Sequence, residues 1–203
     1  PNDGHVDGTP VEASVTELNS GPSVSNVAIS PTTVFTGNTL TCTATATDPD
    51  DGMLVPVFDW SINGSPVGTG ATFTVTQANS NVGDVVTCTA TAQDSAMLSA
   101  SDTASATIQN AGPTVSNVGI SSSGGYYNDQ TMTCSATVVD PDESLTPTFE
   151  WSDVSGVIVS GTTLDLLTTS MMPGDTLTCT VMAEDSSGMT QEFQRVPFKE
   201  VFV

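Results

Sequence analysis

Period-two alternation of small or apolar side chains with threonine dominates the chain. Val86, Cys88, Ala90 and Ala92 alternate with Val85, Thr87, Thr89 and Thr91, and the stretch closes on Asp94. The pattern returns as Leu177, Cys179, Val181 and Ala183, closing on Asp185. Related versions hold Leu40, Cys42, Ala44 and Ala46 before Asp48, and Met132, Cys134, Ala136 and Val138 before Asp140. Successive strand side chains point to opposite faces, so each stretch predicts a half-buried β-strand with its cysteine on the inner face. In all four the aspartate stands six residues past the cysteine. Thr and Val are common and no long run keeps the helical period, which predicts an all-β chain.

Turn signals separate these strands. Thr36-Gly37-Asn38 precedes the first cysteine strand, and Asp48-Pro49-Asp50-Asp51-Gly52 follows it. Phe58–Ile62 reads as a strand running into Asn63-Gly64, a strong hairpin signal, and Phe149-Glu150-Trp151-Ser152 repeats it. Gly83-Asp84 and Gly174-Asp175 introduce the second cysteine strand of each set.

The whole set is duplicated. Gly21-Pro22-Ser23-Val24-Ser25-Asn26-Val27 matches Gly112-Pro113-Thr114-Val115-Ser116-Asn117-Val118, and both this pair and Cys88/Cys179 are offset by 91 residues. A period of that length is a complete domain, too long for a solenoid repeat. The expected organisation is a leader over 1–21, domain 1 over 22–110 and domain 2 over 111–203, set end to end because the Gly-Pro junctions are short. Residues 1–10 read as loop. Residues 11–19 alternate like a strand, with Val11, Ala13, Val15 and Glu17 on one face and Leu18 near the end. Ala13–Gly21 also resembles Ala104–Gly112, the close of domain 1, at the same offset. The leader is therefore expected to act as the last strand of a preceding domain or as a free strand that pairs with another sheet. Val11, Ala13, Val15 and Leu18 are its assembly residues.

The order Cys42, Trp60, Cys88, repeated as Cys134, Trp151, Cys179, resembles the immunoglobulin sandwich. There a buried tryptophan packs on a disulfide between strands B and F. Over residues 22–203 both units look like bacterial extracellular immunoglobulin-like repeats, close to PKD and cadherin-like modules. The resemblance implies two tandem immunoglobulin-like β-sandwiches, each with one B–F type disulfide. One departure is visible: Val86 and Leu177 stand two before the second cysteine, where antibody-type domains carry a tyrosine. Four cysteines allow three pairings, and their count does not choose. Self-sufficient repeats require Cys42–Cys88 and Cys134–Cys179. A four-cysteine zinc site would need close pairs such as Cys-x-x-Cys, which the sequence lacks. Disulfides imply an oxidising compartment, hence a secreted or cell-surface protein.

Composition narrows the function classes. The chain has 203 residues and a net charge of -21, with Arg195 and Lys199 its only basic residues. Phosphate binding needs Lys and Arg, so nucleic acid and anionic membranes are disfavoured as partners. Charged residues are only 12% against 37% hydrophobic, which favours a folded chain over a disordered acidic one. No apolar run spans a bilayer and no signal peptide is recognisable. Pro1 does not read as a translation start, so a processed product or a segment of a longer protein is expected.

His5, the only histidine, sits in the leader, which argues against Ser-His-Asp chemistry. No enzymatic activity is expected. In the sandwich topology strands B and F are parallel, so Asp48, Asp50, Asp51 and Asp94 should meet at one end of domain 1. Asp140, Asp142, Glu143 and Asp185 should meet at the domain junction. Carboxylates clustered at a joint suit Ca2+, and the cadherin-like resemblance implies the same role. The competing expectation is turn chemistry, in which aspartates cap local backbone amides. No cofactor is required on either reading.

Weaker signals have plain structural readings. Asn63-Gly64-Ser65 fits the N-glycosylation pattern but is a hairpin turn first. Trp60 and Trp151 read as core. Tyr126-Tyr127 break the repeat and read as a loop leading into a strand.

The expected function is a non-catalytic extracellular structural protein, the repeating unit of a bacterial surface filament or adhesin stalk. Its partners are further copies, joined head to tail by the leader strand, or neighbouring repeats of a longer chain. The rival expectation is a carbohydrate- or protein-binding accessory module of a secreted enzyme, which would need an aromatic platform that 5% aromatic residues hardly supply.

Overall fold

A computed structural model describes residue 4, residues 11–172 and residues 174–199. The expected loop over 1–10, Gly4 apart, and residues 200–203 lie outside the described residues. Within them the chain is all β, with one 3-10 turn at Leu166–Thr168 and no α-helix.

The first half carries β1 (Ser23–Ser30), β2 (Val34–Phe35), β3 (Thr39–Asp48), β4 (Gly52–Leu54), β5 (Val57–Ile62), β6 (Ser65–Thr69), β7 (Thr72–Thr74), β8 (Val85–Gln93) and β9 (Ser99–Gln109). The second carries β10 (Thr114–Ser122), β11 (Thr131–Val139), β12 (Thr148–Asp153), β13 (Gly156–Ser160), β14 (Thr163–Asp165), β15 (Thr176–Glu184) and β16 (Thr190–Lys199). One sheet of the first half has the order β1-β3-β4, with β7 also paired to β3, and the other has the order β2-β9-β8-β5-β6. The second half repeats the plan as β10-β11-β14 and β13-β12-β15-β16. Every ladder among the described residues stays on its own side of the Asn110–Pro113 junction. Among the described residues the second half has no counterpart of β4, nor of β2, which runs parallel to β9 in the first. Tyr126 packs against the core in that region instead.

The repeated sequence makes repeated local structure. Asn26 and Asn117 adopt φ of 54° and 50° at matching bulges in β1 and β10. Asparagine tolerates this left-handed conformation better than most residues. Asn63 and Gly64, with φ of 48° and 81°, close the β5–β6 hairpin as a turn that needs positive φ at both central positions.

The two sheets of each half bury one set of side chains between them, the layered arrangement of a β-sandwich. On β8 the buried residues are Val86, Cys88, Ala90 and Ala92, while Val85, Thr87, Thr89 and Thr91 face outward or lie half-buried. Cys42 on β3 is bonded to Cys88 on β8, and Cys134 on β11 to Cys179 on β15, so each disulfide crosses from one sheet to the other. Beside them, Trp60 pairs with Cys88 and Trp151 with Cys179 across neighbouring strands, both indoles being buried. Leu40, Val34, Val75 and Ile108 fill the rest of the first core; Met132, Leu164, Leu177 and Val181 fill the second.

The two tryptophans differ in one polar contact. Trp60 Nε1 donates to the Gly70 carbonyl at 2.8 Å, whereas Trp151 Nε1 is buried with no acceptor among the described residues. Trp60→Phe removes ring volume and the hydrogen bond to the Gly70 carbonyl, which water can then reach; Trp151→Phe removes the same volume and an indole N–H already without a partner. Urea denaturation should show Trp60→Phe costing about 1 kcal/mol more than Trp151→Phe. Equal losses would show that the indole–carbonyl contact contributes nothing.

Candidate functional site

The carboxylates that close the four cysteine strands gather at one end of each sandwich, beside the segment that leads into it. Asp48, Asp94, Asp140 and Asp185 are each at most 9% exposed. A buried carboxylate is tolerable only when its oxygens are hydrogen-bonded, and the turns supply the donors. Asp48 Oδ1 accepts from the amides of Asp50 and Asp51 at 2.7 and 2.9 Å. Asp140 Oδ1 does the same for Asp142 and Glu143 at 2.8 and 3.2 Å. These are aspartate-capped turns.

The remaining acids reach across. Asp51 accepts from the amide and hydroxyl of Ser95, and Glu143 from those of Ser186, so the turn after the first cysteine strand is tied to the turn after the second. Asp94 Oδ1 accepts from the Leu98 amide at 2.8 Å, and its Oδ2 from Asn19 Nδ2 at 2.9 Å. Asp185 Oδ1 accepts from the amides of Ser187 and Met189 and from the Ser187 hydroxyl, and its Oδ2 from Asn110 Nδ2 at 2.8 Å. Asp50 Oδ2 takes the Ser20 amide and Asp142 Oδ2 the Ala111 amide, both at 2.6 Å. All eight acids singled out by the sequence are thus in place, at the end where each unit is entered by the chain.

The partners they hold were not singled out, although the repeat offset marks them: Asn19 and Asn110, and Ser95 and Ser186, are each 91 residues apart. At the interior joint Gln77 Nε2 also donates to the Pro141 carbonyl at 3.0 Å. A cleft of about 310 Å³ lies there, lined by Asn81 and Val82 of the first unit and by Asp142, Glu143 and Ser186 of the second.

Ca2+ takes six to eight oxygens. Here most carboxylate oxygens already face N–H or O–H donors, and the buried ones left without a partner are Asp48 Oδ2 at the first knot and Asp140 Oδ2 and Asp142 Oδ1 at the second. Among the described residues no group of three or more acidic, histidine or cysteine side chains is placed to hold a metal ion. The geometry fits amide capping, and among the described residues no full calcium ligand set is assembled.

The leader's assembly residues are placed differently from the sequence expectation. Val11, Ala13, Val15 and Leu18 are exposed, and residues 11–19 join no sheet, because a strand needs a ladder partner and none is present. The end of the leader is held to the first unit through Asn19 and Ser20. His5 lies outside the described residues. No helix among the described residues is long and apolar enough to cross a membrane.

The Asn110 amide, followed by the Ser187 hydroxyl and the amides of Met189 and Ser187, holds the Asp185 carboxyl below the ordinary aspartate range, against the opposing effect of burial. A lowered folded value means that Asp185 contributes stability present in full above the ordinary value of about 3.9 and lost as pH falls through the folded value. Thermal melting should find Asp185→Asn less stable than the parent at neutral pH, with the gap closing as pH falls below the ordinary aspartate range and through the lowered folded value. A gap that does not change with pH would show that the charge on Asp185 is irrelevant. No protein-family model matches this sequence, and no curated protein matches it.

Proposed function

We propose that the chain is a non-catalytic extracellular structural protein, the repeating unit of a surface filament or adhesin stalk. In this reading its two halves are immunoglobulin-like domains. The strand order supports the likeness: β1, β3 and β7 occupy the places of strands A, B and E, and β9-β8-β5-β6 those of G, F, C and C′. The disulfide then falls between B and F, with Trp60 on strand C. Two disulfides suit an oxidising, extracellular compartment.

One observation carries the structural role. Asn19 and Ser20 are tied to the first unit by the same pair of hydrogen bonds that tie Asn110 and Ala111 to the second. Asn110 follows directly on β9, the last strand of a sandwich. Residues 11–18, which resemble β9 in sequence, therefore stand where the last strand of a preceding unit would run, with their own ladder groups unpaired. Strand addition to a neighbouring sheet satisfies those groups, and a head-to-tail contact of this kind propagates without closing.

Electron microscopy of the purified protein should show end-to-end filaments, shortened when residues 1–18 are deleted. Discrete rods with no end-to-end contacts would sink the filament reading. Calcium is dispensable in this account. The melting temperature should be the same in EDTA and in excess Ca2+, and a rise in Ca2+ would require a metal at the carboxylate knots instead.

A further inference from the structure

The outer ends of this two-unit rod are more apolar than the inner ends that already meet. The interior joint is the reference. There the base of the first unit, around Gln77, Asn81 and Val82, meets the acidic end of the second. At the repeat offset, the base of the second unit carries Leu167 where the first has Thr76, Met172 where the first has Asn81, and Val154 where the first has Asn63. All three are exposed, Leu167 and Met172 by 70% and 71%. They belong to one end of the sandwich: Leu166 and Met172 line one pocket with Leu177 at the start of β15, and Val154 sits in the turn after Asp153.

The opposite end of the rod changes in the same sense. The acidic end of the first unit carries Leu18 and Met97 where the interior joint has Gln109 and Gly188. Met97 is 75% exposed and has φ of 74°, a conformation that Gly188 adopts without cost at 83°. A long apolar side chain held out to solvent on a left-handed residue lowers stability where it stands. Leu98, on the same turn, lies against Gly21 of the incoming segment and is also partly exposed.

We infer that the acidic end of the first unit is a docking surface for the base of the second unit of another copy of this chain. The inference rests on the structural reading above and names its interface. Continuity with the interior joint identifies the occupant. The same carboxylates, Asp50 and Asp94, already hold Asn19 and Ser20 in the interior-joint arrangement, and only the covering base is missing. The substituted positions on both sides are apolar, so they bury each other when the two ends meet. The contact joins two different surfaces, so it repeats along an axis. With a net charge of -21 on each copy, screening by salt should favour it.

The test uses two variants that install the residues of the interior joint: Leu18→Gln with Met97→Gly at the acidic end, and Leu167→Thr with Met172→Asn at the base. All four positions are exposed, so melting temperature should be held or, for Met97→Gly, raised. Sedimentation velocity across protein concentration and salt should show the unmodified chain forming end-to-end oligomers that lengthen with salt. Each variant alone should associate about tenfold more weakly or worse. An equimolar mixture should form pairs and no longer species, because each variant keeps one working end. Association of both variants equal to that of the unmodified chain would overturn this interface and leave the filament reading standing. Loss of association in the acidic-end variant alone would overturn the base as the occupant. An unmodified chain that stays monomeric at all concentrations and salts would overturn the self-assembly reading itself.

Discussion

The disulfide packed against a tryptophan is the contact on which each sandwich depends. The strands beside it are built from alanine and threonine: on β8, Ala90 and Ala92 are the buried residues after Cys88. An alanine removes little apolar surface from water, so an inner face of this kind stabilises weakly for its length. A small domain with a thin core needs a further constraint. Cys42 and Cys88 close a loop of 46 residues, and Cys134 and Cys179 one of 45, which in the chain-entropy model is worth about 4 kcal/mol each. The indole supplies most of the apolar area that the alanines lack, and its ladder partner is the cysteine itself. With the inner face fixed in this way, the outer positions are free to be threonine and serine.

The same strands deliver the acids. An aspartate six residues past its cysteine, at the end of β3 or just past β8, falls on the same inner face as the cysteine. Asp48, Asp94, Asp140 and Asp185 are consequently buried, and each must find donors. The turns that follow provide backbone amides, and the incoming chain provides the amide of Asn19 or Asn110. Domain junction and carboxylate satisfaction are therefore one arrangement. A highly acidic chain can bring acids to its joints because the charge there is met by oriented N–H groups rather than by lysine or arginine.

Strand periodicity, the duplication and the hairpin at Asn63-Gly64 were legible in the sequence because each depends on one or two residues and a fixed spacing. The convergence of the eight acids was legible for the same reason, as the six-residue offset from cysteine repeats four times. What each carboxylate does there was not. Whether Asp48 Oδ1 faces an amide or a cation depends on the φ and ψ of Pro49 to Gly52, and Asp-Pro-Asp serves both outcomes equally well. The leader was half legible. Its alternation in Val11, Ala13 and Val15 marks a strand edge, but a ladder forms only against a second strand, and alternation does not say which one. Asn19 and Asn110 were not legible, because a single amide in a loop carries no periodic signal. Only the comparison between the two copies exposes them.

The duplication also supplies a control inside the molecule, since each joint position occurs twice in two settings. Where both copies keep the same residue, as at Asn19 and Asn110, the requirement is common to both ends and concerns the fold of the joint. Where they differ, the difference reports on what each end meets. Asn81 lines the cleft toward the neighbouring unit, with Thr76 close to it in the chain, and Leu167 and Met172 stand exposed at the corresponding places of the second unit. Ordinary surface drift toward solubility would put the polar residues on the exposed ends and the apolar ones at the covered joint. The reverse is found, and at Met97 it is kept in a backbone conformation that glycine fits better. That inversion makes sense when the ends facing outward in one copy are covered in the assembled state.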